Sequence, residues 1–279
     1  MLSALEAEHE GIETSIRWAS AQGHADALLA LYRGAEYFYF VRGLWGIKKE
    51  LNLLAAEAAQ HLGRNSDEVH AVASQVHILS VQGCLAEAEP YVRRLEALLE
   101  TVTLIGDRRG ADIALVIYWL GRGEYHRAEQ LLAATYQRHL EETPLRGTVN
   151  RRWYAHCRYL QGHIDEARQL FEAVLEQSLT IGYTRGVLFS RIKLAAIYLE
   201  GGELELAEQH LAQAAASASH IFARHDMASA TYLTTRLHTL RGDLPAARAS
   251  LAEAIDLFER LGMRRELAEA RAELAKLDT

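Results

Sequence analysis

Five glycines stand almost in register along the chain: Gly83, Gly123, Gly162, Gly202 and Gly242, spaced by 40, 39, 40 and 40 residues. Five residues after each comes an alanine: Ala88, Ala128, Ala167, Ala207 and Ala247. Self-similarity at a fixed period is the mark of one supersecondary unit stacked on itself, and it restricts the fold more than any other feature here. The stretch from Thr184 shows what the unit is. Leu188, Ile192, Ala195, Ala196 and Leu199 recur at helical steps and form one apolar face. Gly201-Gly202 then ends the helix, because glycine reaches a left-handed backbone without steric cost. Glu203-Leu204-Glu205 opens the next helix with acidic residues at the positive end of its dipole. Ala207, Leu211 and Ala214 line its inner face.

The strings around Gly123, Gly162 and Gly242 repeat this order. Gly63, Gly106, Gly147, Gly182 and Gly262, with Phe222-Ala223-Arg224 in the one slot lacking glycine, supply a second set of breaks. Two breaks per repeat mean two helices per repeat, and about fourteen helices in all, counting Gly43 and Gly23 at the N-terminal end. The expected fold is all-α: a right-handed superhelical solenoid of antiparallel helix pairs. It is read as a single domain over 1–279. Within it, 1–43 forms N-terminal helices, 44–262 the repeats and 263–279 a C-terminal capping helix. Each signature alanine is expected against its partner helix near the crossing, where a larger side chain would push the backbones apart. Pro245 suits the first turn of its helix. Pro90, seven residues after Gly83, predicts a late start or a kink.

Composition narrows the function. The formal net charge is −7 and no basic stripe is present, which argues against direct binding of nucleic acid. The doublets Lys48-Lys49, Arg108-Arg109, Arg151-Arg152 and Arg264-Arg265 read as solvated helix surface. Cys84 and Cys157 lie in different repeats outside any CxxC pair, so free thiols are expected, without a disulfide or zinc. The N-terminal MLSALEAEHEGIE lacks a signal-peptide pattern, and no segment approaches the ~20 apolar residues of a membrane span. A cytoplasmic protein is expected.

Enzyme signatures fail. There is no G-x-S-x-G elbow, and His9-Glu10-Gly11-Ile12-Glu13 ends in the wrong residue for a zinc-protease helix. Glu6-Ala7-Glu8-His9 is the single Glu-x-x-His string where a di-iron bundle needs two. Glu141-Glu142, beside Thr143-Pro144, reads as a solvated inter-helix loop. No cofactor, metal or catalytic residue is assigned.

At Leu194-Ala195, Tyr198, Gly202, Ala207, Leu211 and Ala214 the chain resembles the tetratricopeptide repeat. Leu115, Trp119, Gly123, Ala128 and Leu132 fit the same pattern, although the period is longer than the ~34 residues of that repeat. The longer unit is similar to the helical-repeat sensor domains of STAND-type signalling ATPases, including large LuxR-family bacterial transcription regulators. Leu5-Glu6-Ala7-Glu8-His9, Trp18-Ala19 with Gly23, and the run from Tyr37 to Trp45 resemble the segment that follows the nucleotide-binding region in those regulators. Ala254 through Gly262 resembles their repeats. The resemblance implies a regulatory domain that receives an inducer or a protein signal and controls an ATPase switch. No G-x-x-x-x-G-K-S/T phosphate loop occurs in this sequence, so the ATPase or DNA-binding module is expected either to be attached elsewhere or to be a separate polypeptide.

Tetratricopeptide geometry puts the first helix of each pair on the concave surface. Counting back from the glycines places Arg33 and Tyr37, His70 and His77, Arg152, His156 and Tyr159, and Tyr232 and Arg236 there. Such a groove can hold an anionic or aromatic ligand through charge-assisted hydrogen bonds and stacking. The ligand is expected to be a protein or peptide partner or a small-molecule inducer. A constitutive protein–protein scaffold without a small ligand is the alternative. His70 and His77 are expected to be half-buried. Tyr37 through Phe40 reaches both faces of its helix, partly in the core and partly free to dock an ATPase module.

Overall fold

The computed structural model describes residues 2–102, 105–221 and 223–277. Among them are fourteen helices and no strand. Contacts divide the chain into two compact units, with the division between Arg122 and Gly123. The N-terminal unit holds α1 (Leu2–Ala21), α2 (Ala25–Val41), α3 (Trp45–His61), α4 (Asn65–Val81), α5 (Leu85–Thr101) and α6 (Ile105–Gly121). The C-terminal unit holds α7 (Tyr125–Glu142), α8 (Pro144–Leu160), α9 (Ile164–Thr180), α10 (Thr184–Glu200), α11 (Leu204–Ile221), α12 (Arg224–Leu240), α13 (Leu244–Leu261) and α14 (Arg264–Leu277). Within each unit consecutive helices pack on one another, and several alternate helices also touch. α4 packs on α6, and α8 and α12 both pack on α10. This is the layered stacking of an α-solenoid.

The glycine turns close the pairs as the sequence requires. Gly202 takes φ 77°, and the Glu203 N–H bonds back to the Tyr198 carbonyl at 2.9 Å. The six-to-one bond around a left-handed residue caps carbonyls that the helix end would otherwise leave bare. Ala88, Ala128, Ala167, Ala207 and Ala247 are all 0% exposed. Adding bulk there overpacks the helix crossing, so Ala207→Leu should destabilise the C-terminal unit by about 1–3 kcal/mol in urea unfolding.

Four local expectations change. Gly147 is no break: it lies inside α8, and the helix starts instead at Pro144, with the Thr143 hydroxyl accepting the Arg146 N–H at 3.3 Å. Gly147 is required for packing, since a Cβ there would sit 2.8 Å from Leu140 Cδ1 and 3.3 Å from its Cα. Gly106 likewise falls within α6. Glu141-Glu142 forms the end of α7 and not a loop. The α5 helix begins on time at Leu85 with Pro90 inside it, while Pro245 sits in the first turn of α13. The Ala223-Arg224 break is present, and Phe222 lies outside the described residues.

Candidate functional site

Helix α8 carries Arg152, His156 and Tyr159 at steps of four and three, which puts them on one face. On the adjoining α10, Phe189 and Lys193 share a face for the same reason. The Phe189 ring is the centre of the cluster. Arg152 Cζ lies 4.7 Å from its centroid and Lys193 Nζ 5.5 Å away. His156 meets the ring edge-on at 5.6 Å and stacks on Tyr159 at 6.2 Å. Beneath, the fully buried Phe171 of α9 supports Phe189 at 6.1 Å. Arg152 also lies over Trp153 at 5.2 Å and Tyr183 at 5.7 Å.

Arg152 is buried and Lys193 half-buried, and neither has an ion-pair partner among the described residues. Arg152 is 5% exposed, its Nε is shut away from solvent with no hydrogen-bond partner, and no carboxylate pairs with it among the described residues. Burial drags its pKa below the ordinary guanidinium range; Tyr183 and Asp226 pull the other way without restoring it, and Arg185 adds to the fall. Lys193 forms no ion pair among the described residues either. Burial, then the Arg265 charge, brings its ammonium down to about 8 against the pull of Glu266 and Glu200. His156 is pushed well below the usual histidine range, by burial first and then by Lys193, Arg152 and Arg265. Its imidazole is therefore neutral at pH 7, with Nδ1 buried and unpartnered. Cation–π contacts are each worth about 0.5–2 kcal/mol, whereas the effective penalty for burying an ion is several kcal/mol. The rings only partly offset that penalty; an oxyanion would supply the missing charge.

Helix α12 contributes Tyr232 and Arg236. Tyr232 packs edge-on against Phe258 at 5.7 Å; burial and a hydrogen bond to Glu273 raise its pKa. Arg236 is half-buried and makes no ion pair among the described residues, and its charge reaches both Tyr159 and Tyr232. The Tyr159 hydroxyl donates to Glu200.

The other four predicted residues do not join this cluster; they belong to the N-terminal unit. Arg33 pairs with Asp67. Tyr37 is 46% exposed, while its neighbours Phe38 and Tyr39 are buried. His70 and His77 are both half-buried, His70 Nε2 lying 3.4 Å from Glu36 and His77 lying 5.0 Å from the Phe40 ring. Beside His70 runs a polar network inside the fold. Lys48, 1% exposed, donates to Glu36 at 2.7 Å. The Tyr32 hydroxyl donates to Asn52 Oδ1 at 2.7 Å, and Asn52 Nδ2 donates to Gln75 at 3.1 Å.

Two of the four basic doublets are thus misread as solvated surface, since Lys48 and Arg152 are buried. The sequence held a signal for Lys48, Asn52 and Phe189. Lys48 stands five residues after Gly43, where later repeats have alanine, and Asn52 stands nine after it, where they have Val92, Leu132, Phe171, Leu211 and Leu251. Phe189 precedes Gly202 by the same thirteen residues that separate His70 from Gly83.

Cys84 and Cys157 are free and buried. Among the described residues no group of three or more His, Cys, Asp or Glu is placed to hold a metal ion, and no helix is long and apolar enough to cross a membrane.

No protein-family model and no curated protein sequence matches the chain. Solved structures do. A Rap protein complexed with competence and sporulation factor superposes with a TM-score of 0.56 at 14% identity, over 91% of this chain and 79% of that one. A signal transduction ATPase with numerous domains from Pyrococcus horikoshii, which carries a tetratricopeptide repeat sensor, gives a TM-score of 0.56 at 12% identity. That match covers 90% of this chain and 44% of the other. At such identities the likeness is one of fold, and the fold is the tetratricopeptide-like helical repeat.

Proposed function

We propose that this chain is a non-catalytic sensor and protein-interaction domain of a bacterial signalling or transcription regulator. It binds its effector, a small-molecule inducer or a peptide segment of a protein, on the face built by α8, α10 and α12. The observation that carries this reading is the convergence of Arg152, His156, Tyr159, Lys193 and Arg236 from three successive repeats, with buried polar atoms left unpartnered. Groups of that kind are rare in a packed interior unless something else satisfies them. The attached or separate ATPase would be controlled through the helices in 1–43, and the effector transmits a signal only by favouring one of two states of the domain. The experiment is a thermal-shift screen of metabolites and peptides on residues 1–279, followed by hydrogen exchange on each hit. Protection over α8, α10 and α12, lost in Tyr159→Ala and Arg236→Ala, is the expected result. Hits that protect other helices alone would sink the reading.

A constitutive scaffold is the second reading. It is favoured by Trp18, 58% exposed on α1, and Tyr37 on α2, both outside the cationic cluster. Pull-down by the intact chain of a partner that Trp18→Ser and Tyr37→Ser release, with no response to any small ligand, would select it.

A further inference from the structure

We propose that Arg152 and Lys193, set against the one Phe189 ring, form an oxyanion subsite that takes a carboxylate or phosphate group of the effector. This rests on the effector-face reading above and names the chemistry of its central contact. The two cations come from neighbouring helices, α8 and α10, and share a ring as a common wall. Neither has a carboxylate partner among the described residues. A planar guanidinium offers two parallel N–H donors to an oxyanion, and an ammonium offers a point charge beside it. His156 completes the wall as a neutral imidazole set edge-on to the same ring. The surrounding rings, Trp153, Tyr159 and Tyr183, make the rest of the wall aromatic and favour an oxyanion carried on an apolar or aromatic body.

The geometry also sets a pH dependence. The groups that act on Lys193 or feel its charge are Glu200 on its own helix, Tyr159 and His156 on α8, His225 on α12, and Arg265 and Glu266 on α14. With its ammonium titrating at about 8, Lys193 is charged below that pH and neutral above it. Anion affinity should therefore fall as pH rises from 7 to 9. Arg152 keeps its charge through this range and leaves a residual affinity.

The test uses residues 1–279 and two probes, inorganic phosphate and benzoate, at an ionic strength matched with sodium chloride. At least one probe should raise the melting temperature by about 2–4 °C. Phosphate alone points to a phosphorylated effector, and benzoate alone to a carboxylate. Arg152→Met should lose the response, and Lys193→Met should keep only the residual part that Arg152 carries. This comparison removes the general stabilisation that phosphate gives any fold by exclusion from its surface. In plain buffer Arg152→Met should melt at or above the wild-type temperature, because it removes an unpaired buried charge. No rise with either probe, an equal rise in the variants, or a clearly lower melting temperature for Arg152→Met in plain buffer would overturn the subsite. A screening hit that protects α8, α10 and α12 but binds both variants as tightly as wild type would overturn the oxyanion site and leave the effector face standing.

Discussion

Glu36→Leu should lower the stability of the N-terminal unit by about 3–5 kcal/mol, the cost of stranding a buried charge. Lys48 is the charge at stake: it is 1% exposed, and Glu36 is its ion-pair partner at 2.7 Å. The remaining oxygen near the ammonium, Asn52 Oδ1 at 3.4 Å, already accepts from Tyr32. Urea unfolding should show a lower midpoint with an unchanged slope. The double variant Glu36→Leu with Lys48→Met should recover most of the loss, since it removes both members of the pair. If the double variant is no more stable than Glu36→Leu, Lys48 is not the group being stranded. The same pair sets an acid limb. Burial opposes ionisation of Glu36, but the His70 hydrogen bond and the Lys48 charge outweigh it and hold its pKa at about 2. A carboxylate with a depressed folded-state pKa contributes stability that is complete above its unfolded value, near 4.3, and is lost as pH falls towards 2. The loss in that window should vanish in the double variant.

The other large effect is expected from Phe171→Ala, at about 3–5 kcal/mol in the C-terminal unit. Phe171 is 0% exposed and fills the large apolar slot of α9, nine residues after Gly162. Its ring supports Phe189, the shared wall of Arg152 and Lys193. Truncation leaves a cavity under the candidate site, so ligand affinity should fall together with stability. Phe171→Leu, which retains most of the volume, should restore both in part. Urea unfolding reads the stability, and hydrogen exchange across α8 and α10 reads the loosened site. Full protection of α10 in Phe171→Ala would show that the site does not lean on this part of the core.

Much of the fold could be read because it obeys local rules. A left-handed glycine ends a helix wherever it stands, and an alanine at fixed distance fits only a close crossing. The places where reading failed are those where a small residue serves packing. Gly147 looks like a turn in the sequence, but it lets α8 pass the backbone of Leu140. Nothing local distinguishes those two uses of glycine. Thr143-Pro144, a capping residue before a fixed φ, was the better marker of the helix start.

The candidate site was legible in part. Counting back from Gly162 and Gly242 identified the α8 and α12 contributors. Phe189 and Lys193 escape that count because α10 is apolar on most sides and its pattern marks a core helix. In the sequence Arg152 fits both a groove position and one half of a surface doublet. The structure resolves this by burying the guanidinium among three rings. His70 and His77 stand at corresponding offsets from Gly83, yet those residues belong to the network around Glu36 and Phe40.

By itself, the sequence determined the architecture: helix pairs at a period of about forty residues, closed by glycines and packed on alanines. These depend on backbone conformation and near-neighbour spacing, which a one-dimensional pattern records. Only the tertiary structure decided which charges are left without partners. Lys48 and Arg152 look alike in the sequence, each one member of a basic doublet. One finds Glu36 on a neighbouring helix, and the other finds aromatic rings and, among the described residues, no carboxylate within ion-pair distance. Desolvation and pairing depend on what distant helices bring to the same few ångströms, and that information lies in the packing.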